Sequence, residues 1–477
     1  MKNPKGAFAL PKINPYNLLL NTDSYKASHF RQYRQGSELV SSYIEARAGD
    51  GETSEMLFFG LQIFLMQYLS NPITGADVEE AEAFWTAHGE PFNRQGWMHI
   101  VDHHKGRLPV RIEAVKEGSL ISVKNVLVQI VNTDPACFWL TSYLETALLR
   151  AVWYPTTIAT RSRAAVEMIR KALVQTDGDD TGLEFKLHDF GARGATSLEQ
   201  AGIGGCAHLV NSMGTDTAIG AVYARNFYGA DMAGFSIPAA EHSTMTAWGG
   251  EAGELEAMRN IITQHPSGLV ACVSDSYDLF RAIEDYWGDA LKDAVLSRAD
   301  GFLVVRPDSG NPTEIVPKVI EALGAKFGFE TTIKGYRILN PKVRVLQGNG
   351  ITQESLEENL EALVNRGLAI GNIAFGMGGG LLQKVDRDTF AFAMKASAIW
   401  IDGKWQDVFK DPKTAAGTKT SKKGRLALVK DAAGCFRTIR FEELKNTVNN
   451  LLETVYENGE IKRFQTFDEI RALARTT

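Results

Sequence analysis

A chain of 477 residues exceeds one ordinary domain, although an α/β barrel of about 250 residues counts as a single one, so a barrel and a second module are expected. With 44% hydrophobic and 23% charged residues the composition is that of a globular protein with a large core. The net charge of -6 excludes nonspecific nucleic-acid binding, which needs a basic footprint to displace counterions.

The first residues, MKNPKGAFALPKINPYN, carry no signal-peptide apolar core, and no stretch reaches the roughly 18 apolar residues of a membrane span, so a soluble protein is expected. Cys137, Cys206, Cys272 and Cys435 are scattered without metal-type spacing, and Cys206 and Cys272 sit in apolar surroundings. Such thiols suit a reducing, cytoplasmic compartment.

In chain order, LLLNTDSYK places Thr22 or Asp23 to cap a short helix. The β-branched stretch 106–133, GRLPVRIEAVKEGSLISVKNVLVQIVNT, broken by turn signals at EGS and KN, predicts antiparallel strands. Apolar spacing predicts a helix over 137–153, ended by Pro155, and a second over 159–174. After residue 380 the pattern LLQKVDRDTFAFAMKASAIW is helix-like, then comes a Lys-rich loop (410–425) and short strands at LALVKD and CFRTIRF. The expected division is therefore an irregular α/β barrel over 151–399 and a β-containing module built from 1–150 and 400–477.

The barrel is predicted from one pattern that recurs six times: an apolar run ending in charged, hydroxyl or glycine residues. The segments are FKLHDFGARG (185–194), GFSIPAAEHS (234–243), VACVSDSYD (270–278), FLVVRPDSG (302–310), VRVLQGNG (343–350) and IAFGMGGG (373–380). They begin roughly 30 to 50 residues apart, room for one crossover helix between parallel strands. Continuous apolar runs fit a parallel sheet covered on both faces. Ligands in such folds bind at the carboxyl ends of the strands, so all six clusters would crowd one site.

Each cluster has a chemistry and a bland alternative. Arg306 offers a planar fork for a carboxamide, carboxylate or phosphate and Asp308 can accept from a sugar hydroxyl, or the two merely staple their turn. Gly376 to Gly380 follow a strand and precede a helical pattern, which converges free backbone N–H groups on a phosphate position, yet glycine is also an ordinary turn residue. His242 suits a base, acid or phosphate acceptor, with Asp275 or Asp278 to orient it, although a lone histidine is more often a packing residue. Phe190 with Arg193 suits a flat ring bearing an anionic group, or Phe190 fills core. Asp216 and the segment Asp23 to Lys26 resemble helix N-caps. Among established motifs HExxH, GxSxG and the P-loop are absent from the sequence. The residues alone reach an α/β-barrel enzyme acting on a phosphorylated small molecule.

Taken together and in order, NTDSYKASHFRQY, LHDFGARG, GTDTAIG, SIPAAEHSTM, SDSYD, VVRPDSGNP, LQGNG, IAFGMGGGLLQK and SKKGRL closely resemble the nicotinamide phosphoribosyltransferases, of the type II phosphoribosyltransferase family, from about residue 17 to about residue 470. The resemblance implies transfer of phosphoribosyl from phosphoribosyl pyrophosphate (PRPP) to nicotinamide, giving nicotinamide mononucleotide (NMN) and pyrophosphate in NAD salvage. It implies that Phe190, with Tyr25 of a neighbouring subunit, sandwiches the pyridine ring, while Asp216 and Arg306 hold the carboxamide. Asp308, Gly348 and Asn349 would lie near the ribose, the amides of Gly378 and Gly379 on the 5′-phosphate, and Arg193 on pyrophosphate. Arg47, Arg387, Lys395, Lys410 and Lys419, several from the second subunit, would complete the anion site, which implies a homodimer with shared sites. His242 would take the γ-phosphate of ATP, with Asp275 orienting its imidazole, and Mg²⁺ would accompany PRPP and ATP. The resemblance gives no metal ligands.

Three positions depart from the family pattern: Asn349, where aspartate is usual, and Ala271 and Ala393, where serines are usual. Asn349 can still hydrogen-bond a ribose but supplies no charge for a cation. Competing readings are a nicotinate phosphoribosyltransferase, a catalytically silent binding protein on the same scaffold, and a phosphosugar aldolase or isomerase. The last would expect a lysine or glutamate base at a strand end, where the clusters offer only Glu241.

Overall fold

The structure is a computed structural model that describes residues 13–51, 53–415, 420–445 and 449–476. The chain forms two compact units, one of Met1–Thr156 with Arg387–Gln465, the other of Thr157–Asp386 with Thr466–Thr476. Among the described residues no helix is long and apolar enough to cross a membrane.

The first unit is built on a seven-stranded antiparallel sheet in the spatial order Lys404–Asp407, Ala393–Ile401, Leu39–Glu45, Val126–Asn132, Val110–Ala114, Glu453–Glu457, Glu460–Ile461. Both ends of the chain thus enter one sheet, and the strands expected within 106–133 are present. Its core holds the edge-to-face aromatics Trp97, Trp139 and Tyr143, with Trp97 and Trp139 centroids 4.8 Å apart.

The second unit is built on a six-stranded, all-parallel sheet. Its strands are β1 (Leu187–Asp189), β2 (Gly214–Thr215), β3 (Val270–Val273), β4 (Leu303–Arg306), β5 (Val343–Gln347) and β6 (Ile373–Met377), in the spatial order β2-β1-β6-β5-β4-β3. The two edges are joined by the segment 235–240. Phe235 bridges Gly214 of β2, and Ala239 bridges Ala271 of β3, both in parallel. Four backbone bonds make the joins: Thr215 N–H to the Phe235 carbonyl, Phe235 N–H to Met213, Ala240 N–H to Ala271 and Ala271 N–H to Pro238. Pro238 sits mid-segment, where it lends its carbonyl and needs no donor. The sheet therefore curls into an irregular α/β barrel.

Four sequence expectations are corrected. The helices expected at 137–153 and 159–174 are instead a short 3₁₀ turn (Pro135–Cys137), a four-residue helix (Leu140–Tyr143) and one 32-residue helix, Glu145–Thr176, with Pro155 inside it. Pro155 is accommodated because Gly60, at φ +100°, leaves room for its ring: a Cβ there would lie 2.3 Å from Pro155 Cγ. The helix-like stretch after residue 380 contains only Gly379–Leu382 as helix and then the strand Ala393–Ile401, so residues 393–399 belong to the antiparallel sheet and not to the barrel. The segment Phe467–Thr476, assigned to the terminal β-module, is a helix of the barrel unit, tied there by Arg471, whose guanidinium donates to the carbonyls of Leu209, Ser212 and Ala233 at 2.6 to 3.2 Å. Asp216 is not at a helix N-cap: Thr217 occupies that position of Ala218–Tyr228, without a capping hydrogen bond from its side chain, and Asp216 stands directly after β2.

Replacing Gly60 by Ala should combine left-handed strain with overpacking against Pro155, costing about 2–4 kcal/mol. Denaturant unfolding measures it; a change below about 0.5 kcal/mol would contradict this account of how Pro155 is tolerated.

Candidate active site

The barrel rim gathers the strand-end residues of the second unit. After β1, the Phe190 N–H donates to the Met377 carbonyl of β6 at 3.0 Å, which turns the ring over the neighbouring strands. Gly348 and Gly376 make that possible: a Cβ at Gly376 would lie 2.1 Å from the Phe190 ring, and one at Gly348 3.1 Å. Phe190 is half-buried, packing on Ala271, Val304 and Leu346 inside the barrel.

A cavity of about 640 Å³ runs from this rim along the strands. Phe190, Asp216 and Arg306 line it at the carboxyl ends, while Lys186 and Arg344 line it near the strand starts. Between them the wall is apolar, including Ala271, so the departure from serine there leaves a hydrocarbon surface in the interior. Asp216 accepts a 2.5 Å hydrogen bond from the Ser236 hydroxyl, which fixes the carboxylate against the closing segment. Arg306 reaches Asp308 through Nη2 at 3.2 Å, the turn-stapling pair, with side chains 25% and 27% exposed. A pair this open to water is worth about 1 kcal/mol or less, so a ligand can take over either partner.

The strand ends of β3 and β4 form the second part. Asp275, 3% exposed, accepts from the Asp308 N–H at 2.8 Å and the Ser309 hydroxyl at 2.6 Å, and so fixes the turn that carries Asp308. Its other oxygen is buried, has no hydrogen-bond partner and lies 3.8 Å from His242 Nε2. Asp308 Oδ2 is nearer to that nitrogen, at 3.4 Å. His242 Nδ1 meets the Ser276 hydroxyl at 3.1 Å. The histidine opens a five-residue helix, His242–Thr246, and is half exposed; Glu241 stands at its N-cap. Asn349 donates to the Asp308 carbonyl at 2.9 Å, so the amide that replaces the usual aspartate braces the same turn.

The third part is a pair of turns. Gly378 precedes the four-residue helix Gly379–Leu382, in which the Leu381 and Leu382 N–H groups donate to the Gly378 carbonyl while those of Gly379 and Gly380 precede any helical acceptor. The turn Ala192–Gly194, with Arg193 exposed, packs on it so closely that a Cβ at Gly194 would lie 3.1 Å from Gly379 Cα. A cation and the N–H groups of Gly379 and Gly380 thus lie in one neighbourhood.

The remaining expected residues lie in the first unit. Lys395 is half-buried and its ammonium pKa is lowered, first by burial and also by the positive charges of Lys410, Arg47 and Lys26, with Glu145 opposing. Arg47 Nε donates to the Ala391 carbonyl at 3.2 Å. Arg387 pairs with Asp388 at 2.9 Å on the surface. Tyr25 is 56% exposed, its ring edge-on to His29. Lys419 lies outside the described residues. Ala393 is buried opposite Glu45 in the antiparallel sheet.

Sequence reasoning gave no orienting role to the hydroxyls of Ser236, Ser276 and Ser309, although each stands inside a quoted cluster. It also left Asp189 unassigned. That carboxyl is fully buried at the end of β1; burial, the largest influence, pushes its pKa up to about 6 against the opposing hydrogen bond from the Gly191 N–H, and Asp216 raises it further.

The curled parallel sheet and its helices form a type II phosphoribosyltransferase fold, and two solved structures share it. Nicotinate-nucleotide pyrophosphorylase from Pyrococcus furiosus superposes with a TM-score of 0.63 at 17% identity, covering 99% of this chain and 97% of that one. Human nicotinic acid phosphoribosyltransferase gives 0.58 at 19%, covering 95% and 93%. The nicotinate phosphoribosyltransferase (NAPRTase) family model matches residues 185–460, and the model of the nicotinamide phosphoribosyltransferase N-terminal domain matches residues 17–112. A nicotinamide phosphoribosyltransferase of Xanthomonas campestris is 49% identical over 96% of this chain and 98% of its own length, and one of Acinetobacter baylyi is 32% identical over 96% and 97%. The chain belongs to the nicotinamide phosphoribosyltransferases of the NAPRTase family, and is a pentosyltransferase enzyme.

The raised pKa of Asp189 has a sign. The folded state holds the proton between about pH 4 and 6 where the unfolded chain has released it, so this group's contribution to stability falls as pH rises through that window. Asp189→Asn keeps an oxygen for the Gly191 N–H and should raise the melting temperature at pH 7.5 while making little difference near pH 4. Thermal unfolding at both pH values checks it; an equal loss at both would contradict it.

Proposed function

We propose that the protein transfers the phosphoribosyl group of PRPP to the ring nitrogen of nicotinamide, giving NMN and pyrophosphate in NAD salvage. The observation that carries the reading is that Phe190, Asp216 and Arg306 line one cavity at the barrel rim. An aromatic face, an acceptor and a planar donor are the complement of a pyridine carboxamide: Phe190 stacks on the ring, Asp216 accepts from the NH₂ and Arg306 donates to the oxygen. A carboxylate in place of the carboxamide would face Asp216 with like charge.

In this reading PRPP spans the rest of the rim. Its ribose lies by Asp308, Gly348 and Asn349, its 5′-phosphate on the amides of Gly378 and Gly379, and its pyrophosphate by Arg193. Mg²⁺ enters as the counter-ion of PRPP and ATP. As pyrophosphate leaves, the ribose gains oxocarbenium character, and Asp308 is the carboxylate placed to stabilise that charge; catalysis is positioning and electrostatics. Tyr25 of a second copy completes the ring contact, and the basic residues Arg47, Arg387, Lys395, Lys410 and Lys419, several of them from that second copy, complete the anion contacts in a homodimer. The lowered pKa of Lys395, caused first by burial and then by the positive charges of Lys410, Arg47 and Lys26, supports an anion-seeking cluster. A cytoplasmic location accords with these substrates.

ATP stimulates the reaction through His242. Asp308 and Asp275 face Nε2, which favours a proton there and leaves the Nδ1 lone pair as the nucleophile, accepting from Ser276 at rest. Attack of Nδ1 on the γ-phosphorus forms the N–P bond, breaks the bond to the β-bridging oxygen and releases ADP; water later cleaves the phosphohistidine.

The purified protein should form NMN from nicotinamide and PRPP, faster with ATP, and His242→Ala should keep the basal rate while losing the stimulation and any acid-labile label from γ-labelled ATP. NMN formation followed by chromatography measures this. Absence of product with and without ATP would refute the transferase reading, and undiminished ATP stimulation in His242→Ala would refute the coupling.

A further inference from the structure

Away from the barrel, in the first unit, three ligating side chains converge. His99 and His104 stand in the second half of the helix Arg94–His104, and Asp134 follows the strand Val126–Asn132. Both imidazoles present Nε2 to the same carboxylate oxygen: His99 Nε2 lies 2.7 Å and His104 Nε2 2.6 Å from Asp134 Oδ2. The three ligand atoms all lie within 4.8 Å of one another. The two rings are 5.6 Å apart, near perpendicular, so their Nε2 atoms approach the oxygen from different directions.

The geometry points to a binding site for one borderline divalent metal ion of the Zn²⁺ class, with His99 Nε2, His104 Nε2 and Asp134 Oδ2 as ligands and a water or external donor in the fourth position. Two nitrogens and one oxygen select Zn²⁺, Co²⁺ or Ni²⁺ over Mg²⁺ and Ca²⁺, which prefer oxygen sets. With metal–ligand bonds of about 2.0–2.1 Å in a tetrahedral site, neighbouring ligand atoms stand roughly 3.3 Å apart. The present N to O distances, 2.6 and 2.7 Å, therefore need only a small outward movement of each ring.

The surroundings hold the ligands in place. Asp134 Oδ1 accepts from the Ala136 N–H at 2.9 Å, and the Asp134 carbonyl accepts from the Asn132 side chain at 2.8 Å, which leaves Oδ2 directed at the two histidines. His103 packs 4.5 Å from His99 and limits its rotation. The helix end is fixed by the Gly106 N–H on the Ile100 carbonyl, 3.0 Å. All three ligands are between 20% and 29% exposed, open to an ion from solution. A helix C-terminus favours a cation nearby, but that purpose needs one histidine and no shared carboxylate oxygen. The transferase chemistry does not use the cluster, and a bound ion would cross-link the last turn of the helix to the loop after the strand.

The test uses the full chain, freed of metal and titrated with Co²⁺ and with Zn²⁺. One equivalent should bind, with Co²⁺ giving intense visible d–d bands of a four- or five-coordinate site and Zn²⁺ raising the melting temperature. His104→Gln and Asp134→Asn, each checked for native circular dichroism, should weaken binding by more than the roughly 10–100-fold that loss of an outer hydrogen-bond partner costs. Using two variants keeps the test valid if one fails to fold. Absence of saturable uptake overturns the proposal, as does uptake that persists unchanged in the folded variant, which would put the ion elsewhere, for example at the exposed Cys435.

Discussion

Ring closure is the constraint on which the site depends. In the linear order β2-β1-β6-β5-β4-β3, the strand that carries Asp216 and the strands that carry Asp275 and Arg306 lie at opposite ends of the sheet. The segment 235–240 joins those ends through two parallel bridges, and only then can an acceptor after β2 and a donor after β4 line one cavity. The same segment supplies Ser236 to Asp216 and leads directly into His242, so closure and chemistry are served by a single stretch of chain.

Hydrogen bonds anchored on the buried Asp275 brace the rim. Asp275 spends one oxygen on the Asp308 N–H and the Ser309 hydroxyl, and Asn349 holds the Asp308 carbonyl, so the turn presenting Asp308 and Arg306 is braced from β3 and β5 together. Glycine does the complementary work where backbone must come close: Gly348 and Gly376 yield space to the Phe190 ring. A pre-formed rim suits a reaction whose protein contribution is positioning and charge stabilisation.

The strand ends were legible because a parallel strand buried on both faces is a continuous apolar run, and its polar terminus is abrupt. What escaped did so for local reasons. Gly214–Thr215 is two residues long, too short to carry a pattern, and so Asp216 read as a helix cap. The closing segment contributes bridges and no regular strand, although its cluster was visible. Ala393–Ile401 read as helix because its register slips opposite Ser41 and Ser42: Ser41 faces Ala398 while Ser42 faces Ala396, so burial runs in pairs and does not alternate. Pro155 read as a stop, since the space that Gly60 provides for it comes from 95 positions upstream, obtained as 155 minus 60. The resemblance to known phosphoribosyltransferases reached residues such as Lys395 and Tyr25 that no pattern in composition or spacing singles out.

The central claim is that Asp216, held across the barrel mouth from Arg306, selects a carboxamide over a carboxylate. Its most direct test is the ratio of kcat/KM for nicotinamide to that for nicotinate, in the unaltered protein and in Asp216→Asn. The account predicts a strong preference for nicotinamide that falls by on the order of 100-fold in the variant, corresponding to about 2.7 kcal/mol of relieved charge repulsion. A preference for nicotinate, or a ratio that Asp216→Asn leaves unchanged, would contradict it.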